Sequence, residues 1–121
     1  MTKRVKVIEL CLDPYLLTAA DGDVLYRRLR DIHKDGEQVQ VDFNGCSNIS
    51  SAFLNRAFGR LCIDLDWTSD YFRKSVEMID LCEDDIDDVE LTLDNAQFRC
   101  RLIRQGVTDL KDYFEARIPD I

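Results

Sequence analysis

Hydroxyls, thiols, a single imidazole and a run of carboxylates are the groups in this 121-residue chain that could do chemistry. Ser50 and Ser51 follow a polar stretch, Asn44-Gly45-Cys46-Ser47-Asn48, and stand just ahead of an apolar run with helical spacing. A serine becomes a nucleophile when a general base reaches its hydroxyl. The only histidine, His33, lies outside that region in sequence, and no oxyanion loop or glycine-framed nucleophile turn accompanies the serines, which argues against acyl transfer. His33 precedes a helix stop, a place where an imidazole is expected to face solvent and the terminal carbonyls.

The remaining groups point away from catalysis as well. Cys11, Cys46, Cys62, Cys82 and Cys100 contain no C-x-x-C pair, and most fall in apolar patterns where a thiol packs as a small hydrophobe. Glu83, Asp84, Asp85, Asp87, Asp88, Glu90 and Asp94 could be weighed as a divalent-metal site. They lack the glycine turn and ligand spacing of an EF-hand, so a solvated first turn of a helix is the better reading and no metal ligand is assigned. Gly45 and Gly59 stand alone, without G-x-x-x-x-G-K-[ST], so no cofactor is expected. The chain is read as a non-enzyme.

Composition bounds the class. With 45% hydrophobic and 33% charged residues, the chain reads as one soluble domain over 1–121. A net charge of −8 disfavours nucleic acid and anionic membranes as partners. The basic clusters Arg27, Arg28, Arg30 and Arg99, Arg101, Arg104 read as solvated helix faces. No stretch resembles a leader or the roughly 20 apolar residues of a membrane span, so a cytoplasmic, reducing location is expected.

These groups must be placed by elements that the pattern also predicts. Arg4–Leu12 reads as a first strand, Asp13-Pro14 as a turn, and Tyr15-Leu16-Leu17 either as core or as a short strand. A helix is expected over Gly22–Lys34, opened by Thr18 or Asp21 and closed by Gly36. Val39, Val41 and Phe43 alternate as a strand. Ser50 or Ser51 should cap a helix bearing Phe53, Leu54, Ala57, Phe58, Leu61, Cys62 and Leu65. Trp67 then reads as a core or boundary anchor. A helical turn at Tyr71–Lys74 leads to a third strand, parallel to the second because a helix intervenes. Residues 89–103 fit two patterns, an amphipathic helix (Val89, Leu93, Ala96, Cys100, Ile103) and a hairpin about Asp94-Asn95-Ala96-Gln97. The acidic start and basic close favour the helix. Thr108–Ile118 reads as a short amphipathic helix.

The string Asp42-Phe43-Asn44-Gly45, followed by Ile49-Ser50-Ser51-Ala52-Phe53-Leu54, resembles the central motif of STAS domains, the fold of anti-sigma factor antagonists. It is closer still to the STAS-like domains of unknown function. The resemblance implies an α/β fold, a mixed sheet of about four strands with helices mainly on one face, and a helix over 89–103. It also implies a regulatory module that binds a signalling protein, such as a histidine-kinase-like ATPase, through the Ser50–Arg60 helix and the preceding loop. Aligning Asp42 and Ile49 with the motif places Ser51, with Ser50 beside it, at the phospho-acceptor position. Asn44, Ser47, Asn48, Ser50, Ser51, Asn55 and Arg56 are then the expected partner-binding residues. This chain has Ser50 where antagonists carry an acidic residue, and Ala52-Phe53 where they carry glycine. An alternative from another class is a small acidic inhibitor or accessory protein, of phage or mobile-element type, that meets a nucleic-acid-binding partner through Glu83–Asp94.

Overall fold

The computed structural model describes residues 2–11, 13 and 15–106. Strand β1 (Thr2–Lys6) leads into a single helical turn, α1 (Val7–Leu10), and then the long helix α2 (Ala19–Lys34). Strand β2 (Gln38–Asp42) is followed by α3 (Ser51–Leu54), a π-helical turn (Asn55–Gly59) and α4 (Arg60–Leu65), which run on as one central helix. Then come α5 (Ser69–Ser75), β3 (Val76–Ile79) and α6 (Glu83–Arg104). The helix expected at Thr108–Ile118 lies outside the described residues.

Among the described residues the sheet has three strands in the order β1-β2-β3, and both pairings are parallel. This corrects the expected mixed sheet of about four. Each connection between neighbouring strands contains a helix, and a helical crossover returns the chain in the same direction. The segment at Tyr15-Leu16-Leu17 contributes only an isolated parallel bridge, Leu17 to Ile49. The first strand is also shorter than Arg4–Leu12, because after Lys6 the chain turns helical and buries Val7.

Among the described residues, helices cover one face of the sheet and none covers the other. Val5, Val39, Val41 and Val76 are buried, while Arg4, Gln40 and Glu77 form one cross-strand row that is exposed or half-buried. That outer row is polar and internally bonded: Gln40 donates to Glu77 at 3.0 Å, and Arg4 pairs with Asp42 at 3.4 Å. Against the inner face, Phe43, Phe53, Phe58 and Phe72 pack edge to face. The central helix presents apolar residues two per turn, Phe53-Leu54, Ala57-Phe58 and Leu61-Cys62, all buried. It is thereby packed on several sides, by α2, by α6, and by Phe43 at the end of β2, which meets Phe53 and Phe58.

The helix reading of residues 89–103 holds. Val89, Leu93, Ala96 and Cys100 are buried as one stripe, whereas Leu91, which a strand would place beside Val89 and Leu93, is exposed. Ile103 is exposed, so the stripe ends one turn sooner than its spacing predicts.

Two helices end in the same device. Gly36 (φ +74°) closes α2, with its N–H bonded to the His33 carbonyl and the Glu37 N–H to that of Ile32. Asp66 (φ +53°) closes α4, with its N–H bonded to the Ile63 carbonyl and the Trp67 N–H to that of Cys62. Both are Schellman-type stops, in which a left-handed residue satisfies carbonyls that the helix end would otherwise orphan. Glycine announces the first of them in the sequence; aspartate, which also visits the left-handed region, hides the second.

Candidate functional site

The carboxyl ends of the strands carry the residues that the sequence motif singles out. In open parallel sheets this is the end where the strand-to-helix loops lie and where binding crevices form. Beyond β2, Asp42 is buried and its Oδ1 accepts the Asn44 N–H at 2.9 Å, which starts the turn. Asn44 in turn donates its side-chain amide to Asp80, a left-handed residue at the end of β3, at 3.2 Å. Asn48, also left-handed (φ +50°), donates its amide to the Tyr15 carbonyl at 2.7 Å. The loops after all three strands are thus brought together by short polar side chains.

Ser50 and Ser51 have different roles. The Ser50 hydroxyl accepts the Phe53 N–H at 3.0 Å and donates to the Leu17 carbonyl at 2.7 Å. It is the N-cap and is half-buried. Ser51 is the first helical residue, is exposed, and its hydroxyl makes no hydrogen bond among the described residues. Of the two serines that fit a cap in sequence, the first is the cap. The physical reason is position: only Ser50 has the extended backbone (φ −82°, ψ 156°) from which a side chain can reach back to the first turn.

The other expected contact residues divide likewise. Asn44, Ser47 and Asn48 are exposed. Arg56 is exposed and reaches Asp23 of α2 at 3.2 Å. Asn55 is buried, 8% exposed, where its side chain packs beside Gly59 in the π turn, so it leaves the surface set. Helical periodicity places Asn55 near the exposed Ser51 and Ala52, but the π turn inserts an extra residue and rotates that position inward. Sequence reasoning missed Tyr15 (68% exposed) and Leu16 (52%), which sit on the loop held by Asn48 and leave apolar surface beside the serine end.

His33 is no base for these serines. It ends the 16-residue α2, whose start is tied to Ser50 through Leu17, so the imidazole stands about 22 Å along the helix from them. Instead of facing solvent and the carbonyls, His33 is half-buried and packs edge-on against Trp67 at 5.0 Å. Trp67 also meets Tyr71 and Phe72 and is packed against the core, as an anchor.

The thiols are all free. Burial, and then the neighbouring Cys11, pushes the Cys46 thiol up to about 11, while the Cys11 thiol donates to the Ile8 carbonyl. Cys62 is pushed up to about 12, chiefly by burial. Thiols held protonated are poor nucleophiles, consistent with a packing role. Among the described residues no group of three or more His, Cys, Asp or Glu is placed to hold a metal ion.

Several basic groups are engaged rather than gathered into a patch. Arg56 and Arg60 share Asp23, while Arg60 and Arg30 share Asp64. The buried Tyr26 lies within this chain, donating to Asp64, accepting from Arg30 at 2.7 Å, and lying 4.5 Å beneath the Arg60 guanidinium. Arg104 pairs with Asp66, and Arg101 lies over the Phe98 ring. Arg27 and Arg28 are exposed.

A parallel sheet with helices on one face, the loops tied at its carboxyl end, and a serine-capped helix leaving that end define an α/β domain that carries the STAS-like motif residues at one end. The family comparison agrees: residues 21–85, more than half of the chain, match the family described as the STAS-like domain of unknown function (DUF4325), and the chain belongs to it. No curated protein and no solved structure gives a significant match. The matched segment holds α2, β2, the central helix and β3, the parts that build the serine end. Among the described residues no helix is long and apolar enough to cross a membrane.

Proposed function

We propose that the chain is a non-enzymatic regulatory interaction module whose partner-reading surface is the exposed start of α3 together with the loops at the carboxyl ends of the strands. The observation that carries this reading is the division between the serines: Ser50 is committed to structure, whereas the Ser51 hydroxyl stands free at the surface. A phosphate on Ser51 adds about −1.5 to −2 charges at a helix start that tolerates negative charge, so the fold survives while the surface offered to a partner changes. Tyr15 and Leu16 add the apolar area that interfaces use. By family resemblance the partner is a protein of the histidine-kinase-like ATPase kind, met in the cytoplasm without nucleic acid, membrane or cofactor. Mixing the purified chain at micromolar concentration with such ATPases encoded beside it tests the reading. A complex weakened by Ser51→Asp and by Leu16→Ala is expected; absence of any complex overturns it.

The exposed acidic side of α6, with Glu83, Asp84, Asp87 and Asp88, supports a second reading as a small acidic inhibitor or accessory protein, of phage or mobile-element type, acting on a nucleic-acid-binding partner. Neutralising Asp84, Asp85, Asp87 and Asp88 then abolishes binding and Ser51→Asp leaves it intact. The first reading expects the reverse.

A further inference from the structure

At the opposite end of the sheet, the amino ends of β2 and β3 and the last turn of α2 enclose a cleft of about 330 Å3, a size that takes a small ligand. Its floor is aliphatic, with Ile32 of α2 next to Val39 and Val76, which are cross-strand neighbours. Its wall is aromatic, formed by Trp67 with Tyr71 at 5.0 Å. Two side chains of opposite charge complete it, Glu37 and Lys74.

Chain geometry puts Glu37 and Trp67 there by the same means, since each is the residue immediately after the left-handed stop of its helix. The Glu37 Oε2 atom is out of solvent and accepts no hydrogen bond. Its ion pair with Lys3 spans 3.6 Å, longer than a hydrogen bond. A buried carboxylate oxygen without a hydrogen-bond donor is unfavourable, so turning the Glu37 carboxylate toward a ligand ammonium in the cleft costs it no hydrogen bond. Lys74 is exposed at the end of α5 and is in no ion pair among the described residues.

We propose that this cleft binds a small zwitterion, a free α-amino acid with an apolar side chain. Its ammonium meets Glu37, its carboxylate meets Lys74, and its side chain lies on the aliphatic floor against Trp67. Other ligand classes fit less well. A simple amine leaves the Lys74 charge facing it, a simple carboxylate sets an anion beside Glu37, and a neutral hydrocarbon leaves Glu37 Oε2 without a donor.

Trp67 is the only tryptophan in the chain, so its emission reports on the cleft. L-leucine, L-isoleucine, L-methionine and L-phenylalanine are titrated into the whole protein, with calorimetry as a second readout. At least one is expected to give a saturable change. The corresponding amine and the corresponding deaminated acid, isopentylamine and 4-methylpentanoate in the case of leucine, are expected to bind at least about tenfold more weakly. Glu37→Gln and Lys74→Met should each weaken binding about tenfold or more, with circular dichroism unchanged. No saturable response from the wild-type chain up to about 10 mM overturns the proposal. So does an affinity unmoved by both substitutions, or an amine that binds as tightly as its amino acid.

Discussion

Ser50 donates its hydroxyl proton to the carbonyl of Leu17 at 2.7 Å, so the cap of the central helix is also a tertiary tie to the segment that opens α2. Removing it deprives both the Phe53 N–H and the Leu17 carbonyl of their partner. Ser50→Ala should therefore cost about 1–3 kcal/mol, a lost cap plus an orphaned buried acceptor. Ser51→Ala should stay within about 0.5 kcal/mol. Urea denaturation of the two variants checks the contrast, and equal losses would show that the cap had been assigned to the wrong serine.

A negative charge at residue 51 should be harmless to the fold. Ser51→Asp places a carboxylate in the first turn, where the helix dipole favours it by about 0.3–1 kcal/mol at best. The melting temperature should thus be unchanged or slightly raised. A large loss of stability would mean that phosphorylation there disrupts the domain rather than altering its surface.

At Gly22 helix α2 passes close against the central helix: a Cβ there would stand 2.6 Å from the Phe53 carbonyl oxygen and 2.8 Å from the Arg56 Cβ. Helix propensity alone predicts that Gly22→Ala stabilises by about 1 kcal/mol. Overpacking against backbone costs about 1–3 kcal/mol, so net destabilisation is expected. Thermal unfolding gives the sign directly.

Alkali should unfold the domain partly through Cys62. Its thiol is pushed from the ordinary 9.0 up to about 12, mainly by burial and then by the nearby Cys100. The folded state keeps this proton at pH values where the unfolded chain releases it. The contribution is therefore complete below pH 9.0 and is lost as pH rises from there towards about 12. The slope is at most about 1.4 kcal/mol per pH unit. Cys62→Ala should be less stable at neutral pH but show a shallower decline between pH 9 and 11, followed by denaturation at each pH.

Much of the fold was legible because local patterns agree with one another there. The alternation of Val39, Val41 and Phe43 defined a strand that buries Val39 and Val41, and the turn chemistry of Asn44-Gly45 ended it. Thr18 forms a reciprocal capping box with Asp21, and Gly36 stops α2 as its type implies. The outer polar row of Arg4, Gln40 and Glu77 follows from the same period of two. The placement of the motif residues was legible in outline, since Asn44, Ser47, Asn48 and Ser51 lie exposed at one end of the sheet.

The errors fall where a side chain's partner is distant in sequence. Asn55 was expected at the partner surface as part of the Ser50–Arg60 helix that the family resemblance singles out, and the π turn carried it inside. His33 was expected in solvent, but α4 ends at a left-handed aspartate that swings Trp67 against it. Local residue types therefore determined the order of the elements, the stops they announce, and the family motif. Tertiary packing decided the rest: which serine caps and which stays free, that β1 also pairs in parallel with β2, and that Glu37 and Trp67 line one cleft. Capping, periodicity and turn preference act within a few residues and can be read along the chain. Burial and long-range hydrogen bonds depend on what the fold brings into contact, and no single segment of sequence carries that information.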